Sequence, residues 1–133
     1  DEHGHLVGDE VLRALAGTLR TNLPRQFDIL ARFGGEEFAV VLPHTDREAA
    51  LLVAERLRAA VESAGIQTSA GSQPLTISIG IGHLATRVSP EPLTTHDLLD
   101  EADRCLYESK RQGRNRVTAY PPAEPRSLAD ASM

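Results

Sequence analysis

The stretch Arg32-Phe33-Gly34-Gly35-Glu36-Glu37-Phe38 sets two adjacent carboxylates directly behind two glycines. Neighbouring carboxylates repel each other unless a cation or a basic side chain sits against them. Glycines in front of them leave backbone N–H groups open to phosphate oxygens. A Mg²⁺ (or Mn²⁺) held by Glu36 and Glu37, with phosphate oxygens completing its shell, is the arrangement that phosphoryl transfer uses. An exposed polar hairpin with incidental acids accounts for the same residues. Lys110 and Arg114 are four apart and share one side if helical geometry reaches that far, either to grip phosphate or to compensate a helix dipole. Arg25-Gln26-Phe27-Asp28 offers a guanidinium that can fork onto phosphate or stack on a planar ring, beside a carboxylate acceptor; a surface ion pair is the plainer reading. His3, His44, His83 and His96 show no metal-ligand spacing, His5 reads as a loop histidine, and Cys105 reads as a core residue.

The elements that must position these residues follow from periodicity. Val7, Val11, Leu15, Leu19 and Leu23 recur every four residues and predict a helix that ends before Pro24. Residues 27–33 and 38–42 are short, apolar and β-prone, so they read as a hairpin around the glycine pair. Thr45-Asp46-Arg47-Glu48 fits a capping box opening a second helix. Its buried stripe would be Ala49, Val53, Leu57, Ala60, Val61 and Ala64, and Gly65 would stop it. Leu75, Ile77, Ile79 and Ile81 alternate with Thr76, Ser78, Gly80 and Gly82 as a half-buried strand whose small residues call for a close neighbour. A third helix is expected over 95–112, with Leu98, Ala102, Cys105, Leu106 and Ser109 on one face and Gly113 as its stop, and residues 116–120 could close the sheet.

The order α-β-β-α-β-α-β predicts an α/β (α+β) fold, a ferredoxin-like or split-βαβ arrangement of a sheet flanked by helices, with one strand absent before the first helix. Length and composition agree: 133 residues with 41% hydrophobic content suffice for one packed domain. We read that domain over 1–120 and a disordered tail over 121–133, where Pro, Ala and Ser replace periodicity. A net charge of −5 gives no general attraction to nucleic acid. One cysteine forms no internal disulfide, and no signal peptide or 18-residue apolar run appears, so a cytoplasmic domain without membrane contact is expected. The first residues, Asp1-Glu2-His3-Gly4-His5, lack an initiator Met and read as the interior of a longer protein.

Gly34-Gly35-Glu36-Glu37-Phe38, preceded by Arg32 and followed by the apolar run Ala39-Val40-Val41-Leu42-Pro43, resembles the signature of the GGDEF family, the diguanylate cyclases, in its GGEEF form. Two further segments share the resemblance. Residues 1–9 are similar to the family's ND-x-x-GH-x-x-GD segment from its second position, and Leu106-Tyr107-Glu108-Ser109-Lys110 with Gly113-Arg114-Asn115 resembles its LY-x-x-K-x-x-GRN ending. The resemblance implies a palm-type nucleotidyl cyclase domain with a central antiparallel sheet. It implies that two GTP-loaded domains meet as a homodimer and join their substrates into cyclic di-GMP, releasing pyrophosphate. Glu36 would be the metal ligand nearest the phosphates and accept the hydroxyl proton, Glu37 would add to the metal shell, and Gly34 and Gly35 would admit the phosphates. Asp9 would read the guanine edge, His5 would line the nucleotide pocket, and Lys110 and Arg114 would hold the triphosphate.

The family's RxxD product site resembles Arg25 and Asp28, with Arg56 as its third member. Two elements of the family pattern, an aspartate on a strand before the first helix and an asparagine just before Asp1, are not in these residues, so an N-terminally truncated domain is expected. An upstream sensor or receiver domain, or a membrane anchor, would belong to the parent. Two other functions fit the same chain: a catalytically silent receptor for cyclic di-GMP through Arg25, Asp28 and Arg56, and a dimerisation module with neither activity.

Overall fold

A computed structural model describes residues 2–23, 29–32, 38–83 and 94–120, with the backbone alone over 2–7 and 29–32. The four-residue apolar repeat forms helix α1 (Glu2–Asn22), which buries Leu15 and Leu19. It begins earlier than the apolar stripe alone suggests, because residues 2–6 carry no apolar periodicity yet continue the same helix. After it, β1 (Ile29–Arg32) and β2 (Phe38–Val41) pair antiparallel, Ile29 opposite Val41 and Arg32 opposite Phe38. These are the two arms of the expected hairpin, and its connecting residues, 33–37, lie outside the described residues.

Helix α2 (Arg47–Ala64) is capped by Asp46, whose Oδ1 accepts from the Ala49 N–H at 2.8 Å. The expected Thr45 capping box is corrected by one residue: the Thr45 hydroxyl instead donates to the Pro43 carbonyl at 3.0 Å. A carboxylate accepts more strongly than a hydroxyl at the positive end of a helix, so the Asp takes the cap. The buried face is Ala50, Ala54, Leu57 and Val61. Leu57 and Val61 are as expected, Ala50 and Ala54 are buried where Ala49 and Val53 were expected, Ala49, Val53 and Ala60 are half-buried, and the expected Ala64 is exposed. Gly65 ends the helix at φ 59°.

Ile66 then enters a hairpin that the sequence pattern did not announce. It is built from β3 (Ile66–Thr68) and β4 (Gly71–Gln73). The expected strand over 75–81 narrows to β5 (Ile79–Ile81), while Leu75 and Ile77 pack against the core without joining a ladder among the described residues. Helix α3 (Thr95–Arg111) opens with a capping box of Thr94 and Asp97 and returns the chain to β6 (Val117–Ala119), which pairs parallel with β5. The fold is α+β, and its described strands form three two-stranded ladders, the last a β-α-β crossover.

Leu15, Leu19, Leu57, Val61 and Ile66 form the core, with Val11, Leu23, Phe38, Val53 and Ile79 against it. Full burial of each such side chain contributes about 1.5–3 kcal/mol, and this joins α1, α2 and β3 into one body. On the other side, α3 rides on β5 at backbone distance. A Cβ on Gly80 would lie 2.1 Å from the Ala102 carbonyl oxygen and 2.2 Å from the Leu106 nitrogen, and one on Gly82 would lie 2.4 Å from the Leu98 carbonyl oxygen. The close neighbour expected above Gly80 and Gly82 is therefore α3 itself. The expected tail, 121–133, lies outside the described residues.

Candidate functional site

The end of α3 is the best-defined part of the site. Ser109 is fully buried, and its hydroxyl donates to the Ile79 carbonyl at 2.9 Å and lies 2.8 Å from the Thr118 hydroxyl. This fixes the last turn of the helix to both strands beneath it. The chain then reverses: the Gly113 N–H reaches the Lys110 carbonyl at 3.4 Å and the Arg114 N–H reaches the Ser109 carbonyl at 2.9 Å. That pair of bonds is a Schellman motif, with Gly113 at φ 121° supplying the conformation it needs. Helical geometry does not persist to Arg114, so Lys110 and Arg114 are not neighbours on a helix face. They stand on the two sides of this turn, both exposed and without an ion-pair partner among the described residues.

Arg114 and Asn115 both have left-handed backbones, φ 66° and 47°, a conformation that costs a non-glycine residue roughly 1–3 kcal/mol. The surroundings hold them there. Asn115 takes a hydrogen bond from Arg58 Nη1 at 2.9 Å, donates from its amide nitrogen to Glu62, and donates its backbone N–H to the Ser78 hydroxyl at 3.2 Å. Arg116 Nε donates to the Arg114 carbonyl at 3.1 Å. Each such bond contributes about 0.5–1.5 kcal/mol net and more where a charge takes part, which offsets the backbone cost. Arg58 is the hub of the set. Its side chain is 17% exposed, against 56% for Glu55 and 48% for Glu62, and it also forks onto Glu55 through Nε and Nη2. The bond from Arg58 lowers the Glu55 carboxyl below its ordinary value and raises the guanidinium above its own.

Asp9 lies exposed on α1, and His5 belongs to the same helix one turn earlier, so His5 is helical rather than in a loop. Beside Asp9, Glu10 accepts from the Ser69 N–H at 2.6 Å and the Ser69 hydroxyl at 2.8 Å, tying α1 to the turn of the β3–β4 hairpin. Those two bonds, the backbone one first, hold the Glu10 carboxyl below its ordinary value. Arg56 is exposed on α2, two residues before Arg58. Gly34, Gly35, Glu36, Glu37, Arg25 and Asp28 lie outside the described residues; what the structure gives of the carboxylate hairpin is its two arms and their register. Among the described residues no group of three or more His, Cys, Asp or Glu side chains is placed to hold a metal ion. Sequence reasoning missed the Arg58–Asn115–Glu62 set and the Glu10–Ser69 clamp, because both join residues more than fifty positions apart.

The family model described as "Diguanylate cyclase, GGDEF domain" matches residues 1–116. This chain belongs to the GGDEF family. The diguanylate cyclase DgcP of Pseudomonas aeruginosa is 43% identical over 117 residues, covering 88% of this chain and 16% of that protein. Diguanylate cyclase A of Treponema denticola is 41% identical over 118 residues, 89% of this chain and 30% of its own length. The chain thus spans less than a third of these curated relatives. Among solved structures, the GGDEF domain of YfiN from Pseudomonas aeruginosa superposes with a TM-score of 0.78 at 36% identity, covering 92% of this chain and 72% of that one. As a GGDEF domain, the chain places Lys110, Arg114 and Asn115 at the Schellman turn, and Asp9 on α1. No helix among the described residues is long and apolar enough to cross a membrane.

Proposed function

We propose that the full-length protein carrying this GGDEF domain is a diguanylate cyclase, in which two GTP-loaded domains meet as a homodimer and each 3′-hydroxyl attacks the α-phosphate of the other nucleotide. Two new phosphodiester bonds form, and two pyrophosphates leave. The observation that carries this reading is the pair of exposed cations Lys110 and Arg114, without a partner among the described residues, on a turn anchored at both ends, in a chain that also carries Glu36 and Glu37. Cations with no protein partner, on backbone that does not need to reorganise, are suited to holding a polyanion. Asp9 accepts from the guanine N1–H and N2–H donors, and Glu36 accepts the proton of the attacking hydroxyl. Carboxylate oxygens are the donors that Mg²⁺ or Mn²⁺ takes, so Glu36 and Glu37 fit as its protein ligands, where it would neutralise phosphate charge.

Arg25, Asp28 and Arg56 form the proposed product site, where cyclic di-GMP inhibits by favouring a dimer whose active sites are held apart. The exposed position of Arg56, with no partner among the described residues, supports it. The domain boundary near residue 120, a cytoplasmic location and an upstream regulatory domain belong to the same reading.

Incubation of the full-length protein with GTP and Mg²⁺ should yield cyclic di-GMP, and Glu36→Gln should lower turnover on the order of 10²-fold or more. A Glu36→Gln enzyme with unchanged turnover overturns the assignment. Binding of cyclic di-GMP without synthesis by the unmodified protein would favour the silent receptor instead.

A further inference from the structure

We propose that Arg58 is a positioning residue for the triphosphate. Acting through Asn115, it holds Arg114 in its left-handed conformation and so aims a cation that it does not itself touch. The proposal rests on the reading of Arg114 as a phosphate-binding residue. It starts from two consecutive non-glycine residues, Arg114 and Asn115, in a conformation that such residues seldom adopt.

The turn at Gly113 accounts for the reversal of the chain, since its two hydrogen bonds come from Gly113 and Arg114. It does not account for Asn115. That residue is held by α2: the Asn115 side-chain Oδ1 accepts from Arg58 Nη1 at 2.9 Å, and its Nδ2 donates to Glu62, which also pairs with Arg58 at 3.6 Å. An Asn between an arginine and a carboxylate has both ends of its amide satisfied, so its orientation is fixed. Arg58 is in turn held by the two oxygens of Glu55. The chain of fixed groups therefore runs from the α2 surface to the peptide that carries Arg114, and there it stops. The Arg114 guanidinium has no partner among the described residues. Side chains that exist to stabilise the turn would be expected to spend this guanidinium on a carboxylate as well; here the frame is saturated and the cation is left available.

The test uses equilibrium binding of α,β-methylene GTP and of guanosine to the full-length protein, in the presence of Mg²⁺. Arg114→Ala should weaken the nucleotide analogue and leave guanosine, which has no phosphate, unchanged. Arg58→Gln should reproduce that selective loss, about tenfold, as expected when a charged hydrogen bond is misplaced. Combined with Arg114→Ala, it should add no further loss, because its effect passes through Arg114. Asn115→Gly removes the side-chain links without a change of charge, keeps a backbone that tolerates φ above zero, and should give the same selective loss.

Equal losses for analogue and guanosine, an additive loss in the double variant, or an unchanged affinity in Arg58→Gln would each overturn the proposal. If Arg58→Gln does not fold, Asn115→Gly decides by the same three measurements. Should Arg114→Ala bind the analogue normally, the phosphate-binding reading of Arg114 fails and the positioning role fails with it. A weakened Arg114→Ala beside normal Arg58→Gln and Asn115→Gly removes the positioning role alone.

Discussion

Leu15, Leu19, Leu57, Val61 and Ile66 interlock side chain against side chain where α1, α2 and β3 meet, whereas α3 meets β5 backbone to backbone across Gly80 and Gly82. The first region has room to redistribute volume, since five branched side chains can each shift a rotamer. In the second the atoms nearest each glycine belong to the main chain of a helix, with only the Leu98 side chain also close to Gly82. Its interior is also more polar, with Glu101, Cys105 and Ser109 fully or nearly fully buried, and Glu101 accepting from the His83 N–H at 3.3 Å. Lys110 and Arg114, proposed to hold phosphate, hang from this second, unyielding region. Asp9 and Arg56 hang from helices of the first. One set of contacts is thus fixed by geometry, and the other by packing that can adjust.

Three substitutions or conditions separate the two regions. The largest effect is expected from the smallest chemical change. Gly80→Ala adds one methyl group at 2.1 Å from a carbonyl oxygen, where overpacking ordinarily costs 1–3 kcal/mol and here has no side chain to displace, so a loss of about 4 kcal/mol or an unfolded protein is expected. Urea unfolding measures it, and a loss under about 1 kcal/mol would show that α3 can lift from the sheet.

Next comes pH. Burial first, and then the nearby Glu101, push the Cys105 thiol from 9.0 to about 11. Between those values the unfolded chain has released this proton while the folded chain keeps it, so stability falls as pH rises, by about 2 kcal/mol across the window. Comparing unfolding curves with those of Cys105→Ala isolates the contribution; parallel losses in both proteins would mean that other groups carry it.

The smallest effect belongs to the side-chain core. Leu57→Met conserves volume at a buried position and should cost under about 1.5 kcal/mol by the same urea measurement. A cost matching that of Gly80→Ala would erase the distinction between the regions.

What the sequence made legible follows the same division. Apolar periodicity located the three helices among the described residues, and the alternation of isoleucine with Gly80 and Gly82 called for a close neighbour, which is α3. The hairpin of β3 and β4 escaped because Gln67, Thr68, Ser72 and Gln73 carry no apolar alternation; only Ile66 is buried. Leu75 and Ile77 read as strand because burial alternates there, yet alternation reports which side faces the core and not whether a ladder partner is present. In the site, the motif residues were visible as letters. Their mounting was not, since nothing in Gly113-Arg114-Asn115 reveals that Arg58 and Glu62, more than fifty positions earlier, hold the asparagine. The helix spacing of Glu55, Arg58 and Glu62 was the available signal, and it speaks only of pairs within α2.

The parallel ladder also sets an order of assembly. Ile79 pairs with Val117, so β5 finds its neighbour only after the whole of α3 has been made and folded back, and the closure entropy of that long segment must be met before the ladder repays it. The five core residues of the α1–α2 body, by contrast, all lie at or before Ile66, with Leu75, Ile77 and Ile79 packed against them. A growing chain would therefore hold α1, which carries Asp9, well before it possessed the turn that carries Lys110 and Arg114.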